Sequence, residues 1–461
     1  MQIQETRTQT PPHYFFIGIA GTGMSALAQY MHGTGIAVSG SDRFFKPGEY
    51  NDTRSKLENL GITCFAQDGS GIHEGITRVI VSTAIEDTIP EVRKTRELGI
   101  PIQRRSELLA EITASRKTIA VGGTSGKSTT SAMIFDILLH AGQDPSIISG
   151  AGLVSLIERG LIGNAAVGKG DWLVIEADES DGSIVQYHAE VGVLLNIDKD
   201  HKEIEALKEI FTIFRDNSKL FITNSSHDLS ASLSTGAGHD FTIRADGEAA
   251  YKATSFVQQG LRIQFQVNGV PFSLQTVGTH NMENALAAAA TAHQLGVPLE
   301  TAAEALASYK GIYRRHQVLG KKEGVWLIDD YAHNPVKCAR SIEACQPLAG
   351  KVVAWLQPHG YAPTKFLRAD FVQEIVSVLR PQDEIWMSEI FYAGGTTIKD
   401  ISAEDLVNDI RSMGKKAFFV PDRINLLGRL RPHLDEDTVL LLMGARDPSL
   451  EAFAAHVWNE L

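Results

Sequence analysis

Residues 117–128, KTIAVGGTSGKS, constrain this chain more than any other segment. An apolar, β-branched run enters a turn containing Gly122, Gly123 and Gly126, then meets Lys127 and Ser128. A helical pattern follows from about Thr129 to Ala141 and stops at Gly142. This order builds a loop whose backbone N–H groups and helix N-terminus face an anion. The lysine neutralises charge, and the hydroxyl is free to meet a divalent cation. Such a loop lies at the carboxyl end of a parallel strand, so it calls for an α/β fold. Val121 stands where the usual phosphate-loop spacing has its first glycine. Alone, the segment also fits a strand–helix turn without a ligand.

The same logic recurs along the chain. In the first unit, a strand over 14–19 runs into Gly21-Thr22-Gly23-Met24-Ser25, and further strands are expected over 36–39, 62–65 and 79–82. Helical patterns at 53–60 and 90–98 separate them. The second unit starts at Lys117 and continues with strands over 172–176 and 191–196, a loop over 223–239 and a small antiparallel excursion over 261–267 and 271–274. Its Ala-rich helix, 281–295, ends at Gly296-Val297-Pro298. A break at Gly311–Arg315 opens the third unit, with strands over 325–329, 352–357, 384–387, 417–420 and 438–443. Alternating strands and helices imply parallel sheets covered on both faces. At roughly 150 residues per domain, 461 residues accommodate three such units.

Charge and apolar runs exclude other classes. With 43 Lys+Arg against 55 Asp+Glu the net charge is −12, which argues against a general nucleic-acid binder but permits a local basic pocket. The longest apolar runs, such as 439–443, fall far short of the ~18–20 residues of a membrane span. The first residues lack an apolar signal core. Cys64, Cys338 and Cys345 show no metal-ligand spacing, and a reducing cytoplasm suits them.

Six more segments carry polar groups where strands end, helices begin or units join. Leu173-Val174-Ile175-Glu176-Ala177-Asp178-Glu179-Ser180-Asp181 sets four acids after an apolar strand, a costly placement unless solvent or a cation meets them. Asn196-Ile197-Asp198-Lys199-Asp200-His201 ends the next strand. Beside a phosphate loop, Glu176 and His201 make a metal–nucleotide site, though a solvated acidic loop and a surface histidine fit the same letters. Gly18-Ile19-Ala20-Gly21-Thr22-Gly23 is GxAGxG, and Asp42 ends the second strand where ribose hydroxyls bind in dinucleotide folds. In Gly278-Thr279-His280-Asn281-Met282-Glu283-Asn284, Asn281 on its own reads first as a helix N-cap. Arg314-Arg315 and Asp329-Asp330-Tyr331-Ala332-His333-Asn334-Pro335 read as a charged hinge and an acid–imidazole strand end.

In this order, and over nearly the whole chain, these segments resemble the Mur ligase family. The matching pieces are GIAGTGMSALA (18–28), GGTSGKSTT (122–130), EADESD (176–181), NIDKDH (196–201), GTHNMENALAA (278–288), RRH (314–316), DDYAHNP (329–335) and QPHGY (357–361). The resemblance implies an N-terminal Rossmann-like domain over 1–114 that holds a UDP-sugar. A central ATPase-like domain with a parallel sheet and a small antiparallel part would span 115–312. A C-terminal Rossmann-like domain over 313–461 would close on ATP and the amine substrate. It further implies an ATP-dependent amide ligase of peptidoglycan precursor synthesis, using Mg²⁺ and joining an amino acid, L-alanine foremost, to UDP-N-acetylmuramate through an acyl phosphate. The family branch that attaches a recycled tripeptide, or another amine, is the alternative. A monomer or homodimer with neither nucleic-acid nor membrane partners is expected.

Carried over residue by residue, the resemblance implies that Gly123, Thr124, Ser125, Gly126, Lys127, Ser128 and Thr129 hold ATP phosphates. Asn281 and Asn284 would meet the adenine, and Arg315 and Asp330 would complete the ATP site. Ser128, Glu176 and His201 would ligate metal. Lys127, Glu176, His201, Arg315 and His333 would act in catalysis. Gly21, Thr22, Gly23, Met24, Ser25, Asp42 and Ser82 would bind the UDP-sugar. The chain departs from the family's usual residues at Ser125, Ser128, Asn334, His316 and Arg446, and in a shortened segment after His201.

Overall fold

A computed structural model describes residues 11–82, 88–198, 203–392 and 398–461. The first sheet is wholly parallel, with spatial order Thr63–Ala66, Ala37–Asp42, His13–Ile17, Arg78–Val81, Ile102–Arg104. The first strand stops at Ile17, earlier than the pattern suggests, because Gly18 turns the chain at φ 77°. Helix Thr22–Gly33 follows at once.

The central sheet runs Leu220–Thr223, Val191–Leu194, Lys117–Gly122, Trp172–Glu176, Ser146–Ile148, Ala165–Ala166, parallel except for its last pair. The small excursion is a four-stranded sheet in which Tyr251–Gln259, Arg262–Val267 and Val270–Leu274 pair antiparallel. The stretch 223–239 is not all loop, since it holds the end of strand Leu220–Thr223 and the short helix Asp228–Ala231.

The third sheet has order Gln317–Lys322, Val325–Asp330, Thr438–Gly444, Lys351–Gln357, Glu384–Met387, Lys416–Phe419. Five strands run parallel and the first is an antiparallel edge. The pattern missed that edge strand. It carries two lysines, a glycine and a register shift between Val318 and Gly320, so no clean alternation marks it.

Packing joins the units. One continuous apolar cluster includes Phe16, Leu27 and Ile112 of the first unit with Ala120, Ile148 and Ile175 of the central one. The connection to the third unit is pinned to a central loop: Gly311 O accepts from Val154 N at 3.1 Å, and Tyr313 N donates to Gly152 O at 2.9 Å. Segments that follow one strand of each sheet, at Gly23, Asp178 and His333, border one cavity. All three cysteines are free and buried, and no described helix is long and apolar enough to cross a membrane.

Candidate functional site

Gly126 sits at φ 87° and caps a helix, Lys127–His140, that starts two residues before Thr129. A left-handed residue at this point is cheap only for glycine, and it swings Lys127 and Ser128 into the first helical turn. Gly123, at φ 135°, lets the loop pass close to the next strand end, where a Cβ would lie 3.1 Å from Leu195 Cβ. Asn196 then clamps the loop. Its Oδ1 accepts from Thr124 Oγ1 at 2.9 Å and Ser125 N at 2.8 Å, and its Nδ2 donates to Ser125 O at 3.1 Å.

Lys127 Nζ donates to Gly123 O at 2.6 Å and Glu179 Oε2 at 2.7 Å. Burial alone would favour the neutral amine, but Glu179, Asp178 and Glu176 raise its pKa above the ordinary value. Glu176 ends strand Trp172–Glu176, and its Oε1 accepts from Ser149 Oγ at 2.6 Å and Gly150 N at 2.8 Å. The carboxylate and Ser128 both line the site, a hard-oxygen pair suited to Mg²⁺ alongside phosphate oxygens. Among the described residues no cluster of three His, Cys, Asp or Glu forms a metal cage. His201 lies outside the described residues.

Two adjoining cavities open from this loop. In one, of about 200 Å³, the loop residues Thr124–Thr129 meet Glu176, Asn281, Asn284, Arg315 and Asp330. The other, of about 270 Å³, keeps Lys127, Ser128, Glu176 and Arg315 and adds Gly23, Arg105, His333 and Lys337. All three units thus border one composite cleft.

Asn281 is not an N-cap. That position belongs to Gly278, whose φ of 85° suits glycine, and Asn281 Nδ2 turns back to Val277 O at 2.8 Å. Asn284 Oδ1 accepts from Thr130 Oγ1 at 3.3 Å, tying this helix to the phosphate-loop helix.

The adjacent arginines separate. Arg314 pairs with Asp329 (Nε to Oδ2, 2.8 Å) and donates to Gly444 O at 3.2 Å, so it builds the third unit. Arg315 lies over the Tyr331 ring at 5.0 Å and borders both cavities. Burial pushes Asp330 up, but a His316 hydrogen bond and charge, Ser341 and Arg315 hold it at about 2. Burial opposes protonation of His316 as well; Cys345 and Asp330 outweigh it and raise the imidazole to about 10. Burial, with help from Lys337, lowers His333 to about 3. Its Nδ1 donates to Tyr331 O at 2.8 Å, which leaves Nε2 as an acceptor. Asn334 caps the helix Pro335–Cys345 by accepting from Lys337 N at 2.9 Å.

The first glycine turn matches expectation less evenly. Gly23 borders the second cavity, whereas Met24 and Ser25 point inward from helix Thr22–Gly33 and are buried. Asp42 is buried beneath the turn and accepts from Ala20 N at 2.9 Å and Phe44 N at 3.0 Å. Ser82 follows strand Arg78–Val81 and lines neither cavity. Sequence reasoning gave no role to Asn196, Glu179, Arg105 or Lys337. Glu179 and Asn196 stood inside quoted segments, but nothing in the sequence paired them with the loop.

Comparison with known proteins agrees with this architecture. Residues 13–117 match the Mur ligase family catalytic domain, 121–292 the Mur ligase middle domain and 314–446 the Mur ligase glutamate ligase domain. A UDP-N-acetylmuramate–L-alanine ligase of Phenylobacterium zucineum is 33% identical over 95% of this chain and 94% of its own. Its counterpart in Syntrophomonas wolfei is 31% identical over 94% of each. A UDP-N-acetylmuramate–alanine ligase structure from Thermotoga maritima superposes with a TM-score of 0.78 at 25% identity, covering 97% of this chain and 98% of that one. A murein peptide ligase from Psychrobacter arcticus shares the fold, with a TM-score of 0.67 at 20% identity over 97% and 98%. With three domain matches in order and relatives this similar over nearly their full length, the chain belongs to the Mur ligase family.

Proposed function

We propose that this ligase joins L-alanine to the lactyl carboxylate of UDP-N-acetylmuramate at the expense of ATP, in the cytoplasm. One observation carries the reading: two cavities share Lys127, Ser128 and Glu176, and residues of all three units border them. One cavity suits a nucleoside triphosphate. The other, between Gly23 and His333, suits the sugar nucleotide and the incoming amine. Relatives named for L-alanine addition point to that amine.

In this reading a lactyl carboxylate oxygen attacks the γ-phosphorus and ADP leaves, giving an acyl phosphate. The neutral amine adds to its carbonyl, and phosphate departs as the amide forms. Lys127 and Arg315 would hold the oxygens on which charge develops, a preorganised cationic pair in a site partly withdrawn from water. Asn281 and Asn284 would face the adenine, and Asp330 would complete the ATP site. Glu176 and Ser128 would hold Mg²⁺, with His201 a further ligand, and the bound cation would neutralise phosphate charge. His333, neutral and with Nε2 accepting, would orient the amine. Glycine-turn backbone at Gly21, Thr22 and Gly23 would approach the diphosphate.

Phosphate release with ATP, Mg²⁺ and UDP-N-acetylmuramate tests this, comparing L-alanine, glycine, L-serine and the cell-wall tripeptide. Fastest release with L-alanine, and a product of matching mass, is expected. Release with the tripeptide alone would reassign the enzyme to recycling.

A further inference from the structure

Asn164 is 1% exposed and uses its whole amide at the junction of the first two units. Its Nδ2 donates to Thr22 O at 2.7 Å and to Ser25 Oγ at 2.9 Å, and its Oδ1 accepts from Gln29 Nε2 at 2.8 Å. Those three partners lie on helix Thr22–Gly33, the helix that begins at the glycine turn. The far end of this helix is seated on the central unit too, since a Cβ at Gly33 would lie 2.6 Å from Val167 Cγ2.

From Asn164 the connection continues into the phosphate site. Its backbone carbonyl accepts from Ser149 N at 2.9 Å, and Ser149 Oγ donates to Glu176 Oε1 at 2.6 Å. A four-residue path of hydrogen bonds thus links the N-terminus of the sugar-nucleotide helix to the carboxylate bordering both cavities. Apolar packing alone would hold the two units together, but it tolerates small slides. A buried, fully satisfied amide fixes register, because any slide leaves a polar group without a partner.

We propose that Asn164 is a positioning residue that couples the two nucleotide loops, so that occupancy of the sugar-nucleotide turn aligns Glu176 and each nucleotide tightens binding of the other. The inference rests on the functional reading above, in that one loop takes a UDP-sugar and the other ATP. By linkage the coupling is reciprocal, and a factor of about tenfold is ordinary for two communicating sites.

Calorimetry on the full chain tests it, titrating the β,γ-imido analogue of ATP with Mg²⁺ in the presence and absence of saturating UDP-N-acetylmuramate. The wild type should bind the analogue about tenfold tighter when the sugar nucleotide is present. Asn164→Asp keeps the side-chain shape but turns an oxygen toward Thr22 O. It should bring that ratio to within about twofold of unity while the analogue's own Kd changes less than about twofold. Ser149→Ala cuts the path at its other end and should lose the same coupling, which keeps the test decisive if Asn164→Asp folds poorly. A wild type that binds both ligands independently, or variants that retain its full ratio, would overturn the coupling role. A wild type that binds no UDP-N-acetylmuramate would instead overturn the functional reading, and the inference with it.

Discussion

Lys127 and Glu179, 52 residues apart in sequence, form a buried ion pair of 2.7 Å at the mouth of the phosphate loop. The pair gives the lysine two separable jobs. In the proposed reaction it meets phosphate charge, and it compensates a carboxylate that burial would otherwise penalise. Lys127→Ala should lower turnover by at least about a thousandfold. It should also lower the melting temperature, because buried Glu179 loses the charge of its 2.7 Å partner. Adding Glu179→Gln should recover the melting temperature and leave turnover low. Phosphate release and thermal melts on the three variants check this; near-normal turnover in Lys127→Ala would show that the loop has been misread.

Gly126 is the backbone hinge of the same loop. Its φ of 87° and the approach of Asn284 Oδ1 leave no place for a Cβ. Gly126→Ala should raise the Kd for ATP by at least about tenfold, in line with roughly 1–3 kcal/mol of backbone strain. Gly142→Ala is a control for a left-handed glycine outside the loop, since its φ is 74° with open space around it. That variant should lose some stability and keep its ATP affinity.

Arg314 and Arg315 make a sharper contrast. Arg314 is locked to Asp329, both largely buried, and removing one partner of such a pair costs about 3–5 kcal/mol. Arg314→Ala should therefore destabilise the third unit. Arg315 lies over the Tyr331 ring and borders the cavities, and its charge is a minor support for Asp330, which keeps His316 and Ser341 as hydrogen-bond partners. Arg315→Ala should keep its melting temperature within a few degrees and lose about a hundredfold or more in kcat. The reverse pattern would exchange the two roles.

Local signals were legible and long-range ones were not. The phosphate loop, both glycine turns and most parallel strands could be read because apolar runs and glycines mark them within a few residues, whereas the short strands Ile102–Arg104, Ser146–Ile148 and Leu220–Thr223 went unread. Strand Gln317–Lys322 escaped because an edge position needs no alternation to be stable. Met24 and Ser25 sit where the family resemblance suggests ligand contact, yet helical phase turns their side chains into the core. Asn164 and Asn196 illustrate the deeper limit. Each acts across a gap, 142 residues to Thr22 and 72 to Thr124, and a lone asparagine in sequence names no partner. Even the Asn281 side chain, legible as a cap, took a different bond once Gly278 could cap the helix with its own backbone.

Asp136, on the phosphate-loop helix, offers a test of stability against pH. Burial pushes its carboxyl up to about 7 from an ordinary 3.8. Between those values the folded chain keeps a proton that the unfolded chain has released, so stability falls as pH rises through the window. The full penalty is present above about pH 7 and absent below about pH 4. At about 1.4 kcal/mol per pH unit, and with partial solvent contact allowed for, it amounts to roughly 2–4 kcal/mol. Asp136→Asn has no charge to bury. It should melt several degrees above the wild type at pH 8, and the difference should shrink steadily toward pH 4. Melting curves across that range decide the matter, since a gap that does not change with pH would mean the carboxyl titrates normally in the fold.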